Sequence, residues 1–248
     1  MRSSNPALSE KVFLDAGSGR VGVVDDGSTM SVNGTINKTG LMLVILSLTA
    51  LFSWNQVAAD PLGGSMWVWG GLIGGAVVGL VTVFKPAWSP ITAPLYAALE
   101  GLFVGAISAR YAMFYEGIVM QAVMLTVGTA FAMLMAYRSG LIRATEKFRM
   151  GVVAATGGIF LIYLATMGLR FFGMDIPYIH GSGMIGIGFS LLVVGVAALN
   201  LILDFDFIEQ GSEKGAPKFM EWYGAFGLTV TLVWLYIEFL RLLSKLRD

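Results

Sequence analysis

The chain has 248 residues, of which 56% are hydrophobic and 13% are charged, and its mean hydropathy is +0.75. Ordinary soluble domains contain about 25% charged residues, so this composition excludes a soluble globular protein and is typical of an integral membrane protein. The formal net charge is zero, which gives no reason to expect nucleic acid as a partner. The absence of cysteine from this sequence excludes disulfides, thiolate metal sites and cysteine nucleophiles within it.

Residues 1–37 form a polar stretch rich in Gly, Ser, Asn and Asp. Such a composition predicts a flexible tail rather than a packed domain. The stretch lacks the basic start and apolar core of a cleavable signal, so the first membrane helix is expected to direct insertion. We therefore divide the chain into a flexible cytoplasmic tail, residues 1–37, and a membrane domain, residues 38–248.

Seven apolar segments follow the tail, and each reaches the ~20 residues that a spanning helix needs. Prolines and glycines separate them, which is typical of connections between helices. The sequence therefore predicts an all-α integral membrane protein with seven transmembrane helices. The segments are approximately 39–58, 66–84, 91–113, 117–137, 150–172, 182–204 and 221–243.

The connections between these segments differ in their content of Lys and Arg. Eleven basic residues lie on the side of the amino terminus and four on the opposite side. An excess of positive charge marks the cytoplasmic side, so we expect the amino terminus in the cytoplasm and the carboxyl terminus outside.

Gly71, Gly75 and Gly79 repeat at a spacing of four residues in the second segment. This spacing places them on one face of a helix, where small residues allow close approach by a neighbouring helix.

The end of the sixth segment contains three acids, Asp204, Asp206 and Glu209. On a helix, Asn200 and Asp204 share a face, whereas Asp206 points roughly 200° away from Asp204. We expect Asp204 to face the protein interior, because ionisable groups at membrane depth are costly and seldom face lipid. A solvated acidic patch remains the alternative for Asp206 and Glu209. Asp204 and Asp206 are also the candidate metal ligands.

Helical rise, ~1.5 Å per residue, sets the depth of the other ionisable side chains. Lys85, like Asp204, is expected near the inner face, and Glu100 near the middle of the membrane. Glu100 needs an interior partner or a proton, and structural pairing alone can account for it. Arg110 is expected near the outer side of the third helix.

The seventh segment places Thr231 about midway through the membrane and Glu238 farther out, on the same face. Glu238 is expected to pair with Arg241 or Arg110 near the outer side. Together with Asp204 and Glu100, it forms a series of acids at different depths. A cation path needs such a series, although a merely stable bundle can contain one too.

His180 is the only histidine, so a site with two histidine ligands is impossible within this sequence. His180 and Ser182 lie in a short connection without an accompanying acid, and we interpret His180 as a loop residue. We therefore expect neither an enzyme nor a bound cofactor.

Several motifs resemble those of the Bax inhibitor family, the transmembrane Bax inhibitor motif proteins. The segment Leu-Glu-Gly-Leu-Phe-Val-Gly around Glu100 is similar to the family's Glu-Gly-x-x-x-Gly, and the Leu-Ile-Leu-Asp ending at Asp204 is similar to its Leu-Tyr-Asp. The stretch from Ala225 to Arg241 aligns without gaps on the family's last helix. The motifs Asn-Gly-Thr-Ile-Asn-Lys-Thr-Gly, Ile-Pro-Tyr-Ile-His-Gly-Ser-Gly and Leu-Asp-Phe-Asp-Phe-Ile-Glu resemble the bacterial branch grouped with YccA, so the resemblance covers about residues 30–248.

The resemblance implies a bundle with the seventh helix near its centre and a pH-sensitive calcium leak in the bacterial cytoplasmic membrane. In the family, two aspartates share a hydrogen bond, and a basic residue near the inner end of the second helix engages the first of them. Asp204 matches the first aspartate and Lys85 is the nearest counterpart of the basic residue. The second aspartate is replaced here by Thr231, which cannot titrate.

Two functions follow as expectations. The first is a cation leak, with calcium as the expected ion, gated around Asp204, because an oxygen-lined path suits a hard cation. The alternative is a regulator that passes no ions and binds other membrane proteins, such as a membrane protease.

Overall fold

The structure is a computed structural model that describes residues 29–61, 63–171 and 181–248, without the side chains of residues 170 and 171. Seven of its helices are long and apolar enough to cross a membrane, which confirms the predicted all-α architecture of seven transmembrane helices. They are α1 (Val32–Ala59), α2 (Ser65–Phe84), α3 (Ser89–Phe114), α4 (Ile118–Arg138), α5 (Glu146–Phe171), α6 (Met184–Glu213) and α7 (Met220–Arg247).

The first helix begins before the predicted tail ends. Ser31 is the N-cap of α1, and its hydroxyl accepts a hydrogen bond from the amide of Gly34 at 3.0 Å. This cap satisfies one of the amides that have no partner within the helix, so the helix starts at Val32. The helix therefore begins six residues before the predicted domain boundary at residue 38. Residues 1–28 of the predicted tail lie outside the described residues.

The described chain divides into two units. The first contains α1, α2, α3, the end of α6 from Asp204 onward, and the start of α7 to Val230. The second contains α4, α5, the part of α6 up to Leu203, and α7 from Thr231 onward.

Glycines bring the three full helices of the first unit into close contact. A methyl group on Gly71 would lie 2.6 Å from the backbone nitrogen of Phe103 in α3, and one on Gly75 would lie 2.8 Å from the Glu100 carboxylate. Gly105 of α3 packs in the same way against the Ala50 carbonyl of α1. The small-residue face predicted for the second helix is therefore confirmed as a packing surface.

The most apolar stretches of α3 and α7 are 61% buried, whereas those of the other five helices are 17–39% buried. High burial on all sides is what a helix in the middle of a bundle shows. The central position of α7 in the bundle stays what the resemblance implies.

Candidate functional site

The end of α6 separates the three acids found in the sequence. Asp204 is 4% exposed, Asp206 is half-buried and accepts a hydrogen bond from Gln210 Nε2 at 2.7 Å, and Glu209 is exposed. The buried face of the helix continues from Asp204 to Phe207 and Ile208, at the spacing of one helical turn. The buried position of Asp204 and the exposed position of Glu209 agree with the prediction, whereas Asp206 is only partly exposed.

This division bears on the prediction that Asp204 and Asp206 ligate a metal. Carboxylates two residues apart on a helix point to different sides and do not share a ligand site. No group of three or more His, Cys, Asp or Glu residues that could hold a metal ion occurs among residues 29–61, 63–171 and 181–248. Calcium ligation by the two aspartates together stays a prediction, and the helix geometry lends it no support.

Lys85, the predicted partner of Asp204, lies at the end of α2 with its side chain exposed. Its ammonium group is 5.3 Å from the centroid of the Trp88 ring, a cation–π contact typical of an interfacial anchor. The contact that the structure describes for Lys85 is therefore with Trp88, and the pairing with Asp204 stays a prediction.

Glu100 lies in the interior of the first unit and is 8% exposed. The hydroxyl of Tyr96, one helical turn earlier in α3, provides its interior partner. The Tyr96 ring packs edge-on against Phe226 with centroids 4.9 Å apart, which holds the hydroxyl in position. The missing side chain of Gly75 makes room for the carboxylate. The predicted interior partner is thus a neutral donor rather than a cation.

Glu238 and Arg241 form an ion pair in the second unit, at 2.9 Å between Oε1 and Nη1. The Tyr163 hydroxyl donates to the same carboxylate oxygen at 2.9 Å. Glu238 is 1% exposed and Thr231, seven residues earlier on the same helix, is also buried. Arg241, one of the two partners predicted for Glu238, therefore forms the ion pair with it. Arg110, the other alternative, is half-buried in α3.

Asn200 is half-buried and connects two helices of the second unit. Its Nδ2 donates to Thr156 Oγ1 of α5 and to the Val196 carbonyl, both at 2.8 Å. The amide thus has a packing role between α5 and α6. His180 lies outside the described residues.

Glu221, a buried acid of the first unit with several described hydrogen bonds, was not predicted from the sequence. It is fully buried at the start of α7 and accepts hydrogen bonds from the Ser31 amide at 2.9 Å and the Ser31 hydroxyl at 2.8 Å. Lys218 Nζ lies 2.9 Å from Oε1, and Lys38 Nζ pairs with Oε2. An acid in the first turn of a helix is ordinarily exposed to solvent, where it interacts favourably with the helix dipole. Nothing in the local sequence therefore indicated that Glu221 would be buried.

Lys245 is a second buried charge that the sequence did not indicate. Near the end of α7, it is 6% exposed and donates to the Gly186 carbonyl and the Ser190 hydroxyl, both at 2.9 Å. Lysines are almost never fully buried unless paired, so nothing in the local sequence indicated that Lys245 would be buried.

The family model for "Bax inhibitor 1 like" proteins matches residues 5–248, nearly the whole chain. Searches of curated proteins and of solved structures found no match. The resemblance drawn from the motifs around Glu100 and Asp204 is thereby confirmed at the level of the family. The chain, with its seven apolar helices, is a membrane protein that belongs to the Bax inhibitor 1 like family.

Proposed function

We propose that this protein is a pH-sensitive cation leak, with calcium as the ion, rather than an enzyme. The observation that carries the proposal is the burial of Asp204 on the apolar face of α6, next to Phe207 and Ile208. A carboxylate at the end of a spanning helix is costly to bury, and such residues usually mark ion or proton pathways. The motifs shared with the bacterial branch favour the bacterial cytoplasmic membrane as its location.

Two more buried acids of spanning helices support a path for cations. Glu100 lies in α3 and Glu238 in α7, with exposures of 8% and 1%. Both keep carboxylate oxygens away from lipid, and oxygen is the ligand that calcium prefers. Half-buried Asp206 extends this set at the end of α6.

The proposed gate is the protonation of Asp204. We take the described conformation, in which Asp204 is inside the protein, as the closed state. The proposal takes Asp204 as ionised in the closed state, held there by interactions that favour its charge. Proton binding removes these interactions, and the equilibrium shifts toward the open state. The sign follows: flux rises as the pH falls.

The proposal is tested by calcium flux into liposomes containing purified protein, from about pH 5 to about pH 8. Asp204→Asn should give high flux that is nearly independent of pH, because the amide cannot ionise. Glu213→Gln, an exposed acid near the end of the same helix, is the matched control and should behave like the wild type. A wild-type pH response that persists in Asp204→Asn removes Asp204 as the sensor.

The form of the pH response provides a second readout. Two strongly interacting carboxylates titrate in two coupled steps. Thr231 stands at the position of the family's second acid and cannot titrate. The wild-type response should therefore fit one titration step.

Absence of flux in every variant at every pH would favour the alternative, a membrane regulator that binds other membrane proteins and passes no ions.

A further inference from the structure

Residues 29–31, immediately before α1, cross the connection between α6 and α7; we call these three residues the strap. Thr29 forms an antiparallel bridge with Pro217, and the Met30 amide donates to the Ala216 carbonyl at 2.6 Å. Ser31 ends the strap as the N-cap of α1. Backbone contacts therefore hold the strap against residues 216 and 217, and the strap continues directly into α1.

The side chain of Met30 is part of a buried apolar cluster and is 3% exposed. Burial of an unbranched apolar side chain of this size stabilises the docked strap, and its flexibility lets it fill the irregular space. The other buried members of the cluster are Phe207, Ile208, Ala216, Met220 and Tyr223.

Glu221 holds the same strap by polar contacts. The carboxylate accepts from both the amide and the hydroxyl of Ser31 and pairs with Lys38 of α1 and with Lys218. A carboxylate is only an acceptor, so these donors satisfy it in the ionised form. Gly34 permits this arrangement, because a methyl group there would overlap the Glu221 carboxylate.

Met30 of the strap belongs to the same buried cluster as two residues on the face of α6 that contains Asp204. Phe207 and Ile208, which contact the cluster of Met30, are three and four residues after Asp204. Residues at these spacings lie on one side of a helix. A movement of this part of α6 therefore requires the strap to shift or detach.

We propose that the strap is a latch on the end of α6 and that Glu221 is the positioning residue that keeps it closed. The inference rests on the proposed leak function, since the latch restrains the helix end that contains the gating acid. Detachment of the strap frees this end to move, and attachment holds the path shut.

The absence of cysteine from the sequence allows a direct test with the double variant Thr29→Cys, Pro217→Cys. Residues opposite each other in an antiparallel bridge have Cα atoms roughly 4.5–5.5 Å apart, within the range that a disulfide spans. With the disulfide formed, calcium flux into liposomes should fall to the closed level at the pH where the wild type leaks most, and a reductant should restore it. Each single cysteine variant is a control and should leak like the wild type under both conditions.

Weakening the latch should have the opposite effect. Glu221→Gln should raise flux at neutral pH roughly tenfold, the shift expected when the closed state loses charge-assisted hydrogen bonds. Ser31→Ala, which removes only the hydroxyl, should give a smaller increase in the same direction and serves if Glu221→Gln does not fold. Equal flux in the oxidised and reduced double variant, or failure of the disulfide to form, would overturn the latch.

Hydrogen exchange separates this inference from the function on which it rests. Exchange of the amides of residues 205–208 should be faster in Glu221→Gln and slower in the oxidised double variant, with Glu213→Gln unchanged. If neither the wild type nor Asp204→Asn passes calcium, the proposed function fails and exchange alone decides the latch. If exchange of these amides is unchanged in both Glu221→Gln and the oxidised double cysteine variant, the latch is overturned.

Discussion

Three of the buried carboxylates, Glu100, Glu221 and Glu238, have different kinds of partner. Glu221 has two lysines and a serine, Glu238 has an arginine and a tyrosine, and Glu100 has the hydroxyl of Tyr96. Removal of one member of a buried ion pair leaves an uncompensated charge, whereas a neutral donor bonds equally well to an amide oxygen. The three acids should therefore respond differently to the same change from carboxylate to amide.

Glu100→Gln tests this difference. The Tyr96 hydroxyl can donate to the new amide oxygen, so thermal stability in detergent should stay near that of the wild type. Calcium flux should fall, because the charge that attracts a cation is gone. Loss of folded protein in Glu100→Gln would show that the charge has a structural role.

Gly34→Ala should destabilise the protein by about 1–3 kcal/mol, the usual cost of forcing a methyl group into a packed site. The new methyl overlaps the Glu221 carboxylate. Gly40, six residues later in α1, has no atom within 4 Å of an added methyl and is the matched control. Gly40→Ala should be neutral or stabilise by up to ~1 kcal/mol through helix propensity. Thermal or denaturant unfolding of both variants measures the difference, and equal stabilities would contradict the close approach of Glu221.

At the scale of elements, the glycine face of α2 is a packing surface against α3. At Gly71 the tight contact is with the backbone of α3, since a methyl group there would meet the Phe103 nitrogen and α-carbon, whereas at Gly75 it would meet the Glu100 side chain. Backbone atoms of a helix cannot move aside individually, so the two helices must separate to admit a methyl group.

Gly71→Ala should therefore lower the free energy of unfolding by about 1–3 kcal/mol. Gly70, the preceding residue of the same helix, is exposed and has no atom within 4 Å of an added methyl. Gly70→Ala should leave stability unchanged or raise it slightly. Unfolding of the two purified variants in the same detergent provides the comparison, and a destabilised Gly70→Ala with an intact Gly71→Ala would place α3 on the other face of α2.

At the scale of the whole molecule, the orientation in the membrane is a prediction from charge that labelling can test. A single cysteine at Ser139, in the connection after α4, should be shielded from an impermeant thiol reagent in intact cells. A single cysteine at Ser65, at the start of α2, should react. Ser65 is exposed, whereas the neighbouring Gly64 is buried against Val57 and is a poor labelling site. Reversed labelling would invert the predicted topology.

Local periodicity was sufficient to predict several features of this protein. The spans, the glycine face of α2 and the separation of buried Asp204 from exposed Glu209 all depend on which residues share one face of one helix. Helix geometry alone relates such residues, so their sequence spacing determines their direction. The pairing of Glu238 with Arg241 is predictable for the same reason, because the two residues are three apart.

Other features were decided only by the tertiary structure. Ser31 and Glu221 are 190 residues apart, and no periodicity within either helix relates them. Lys245 likewise finds its partners 55 and 59 residues earlier. A charged residue near a helix end is expected to be solvated unless a distant segment covers it, because burial depends on the packing of the chain and not on its local pattern. Composition and spacing thus determine the seven helices and their faces, while packing alone decides which charges at their ends become buried and paired.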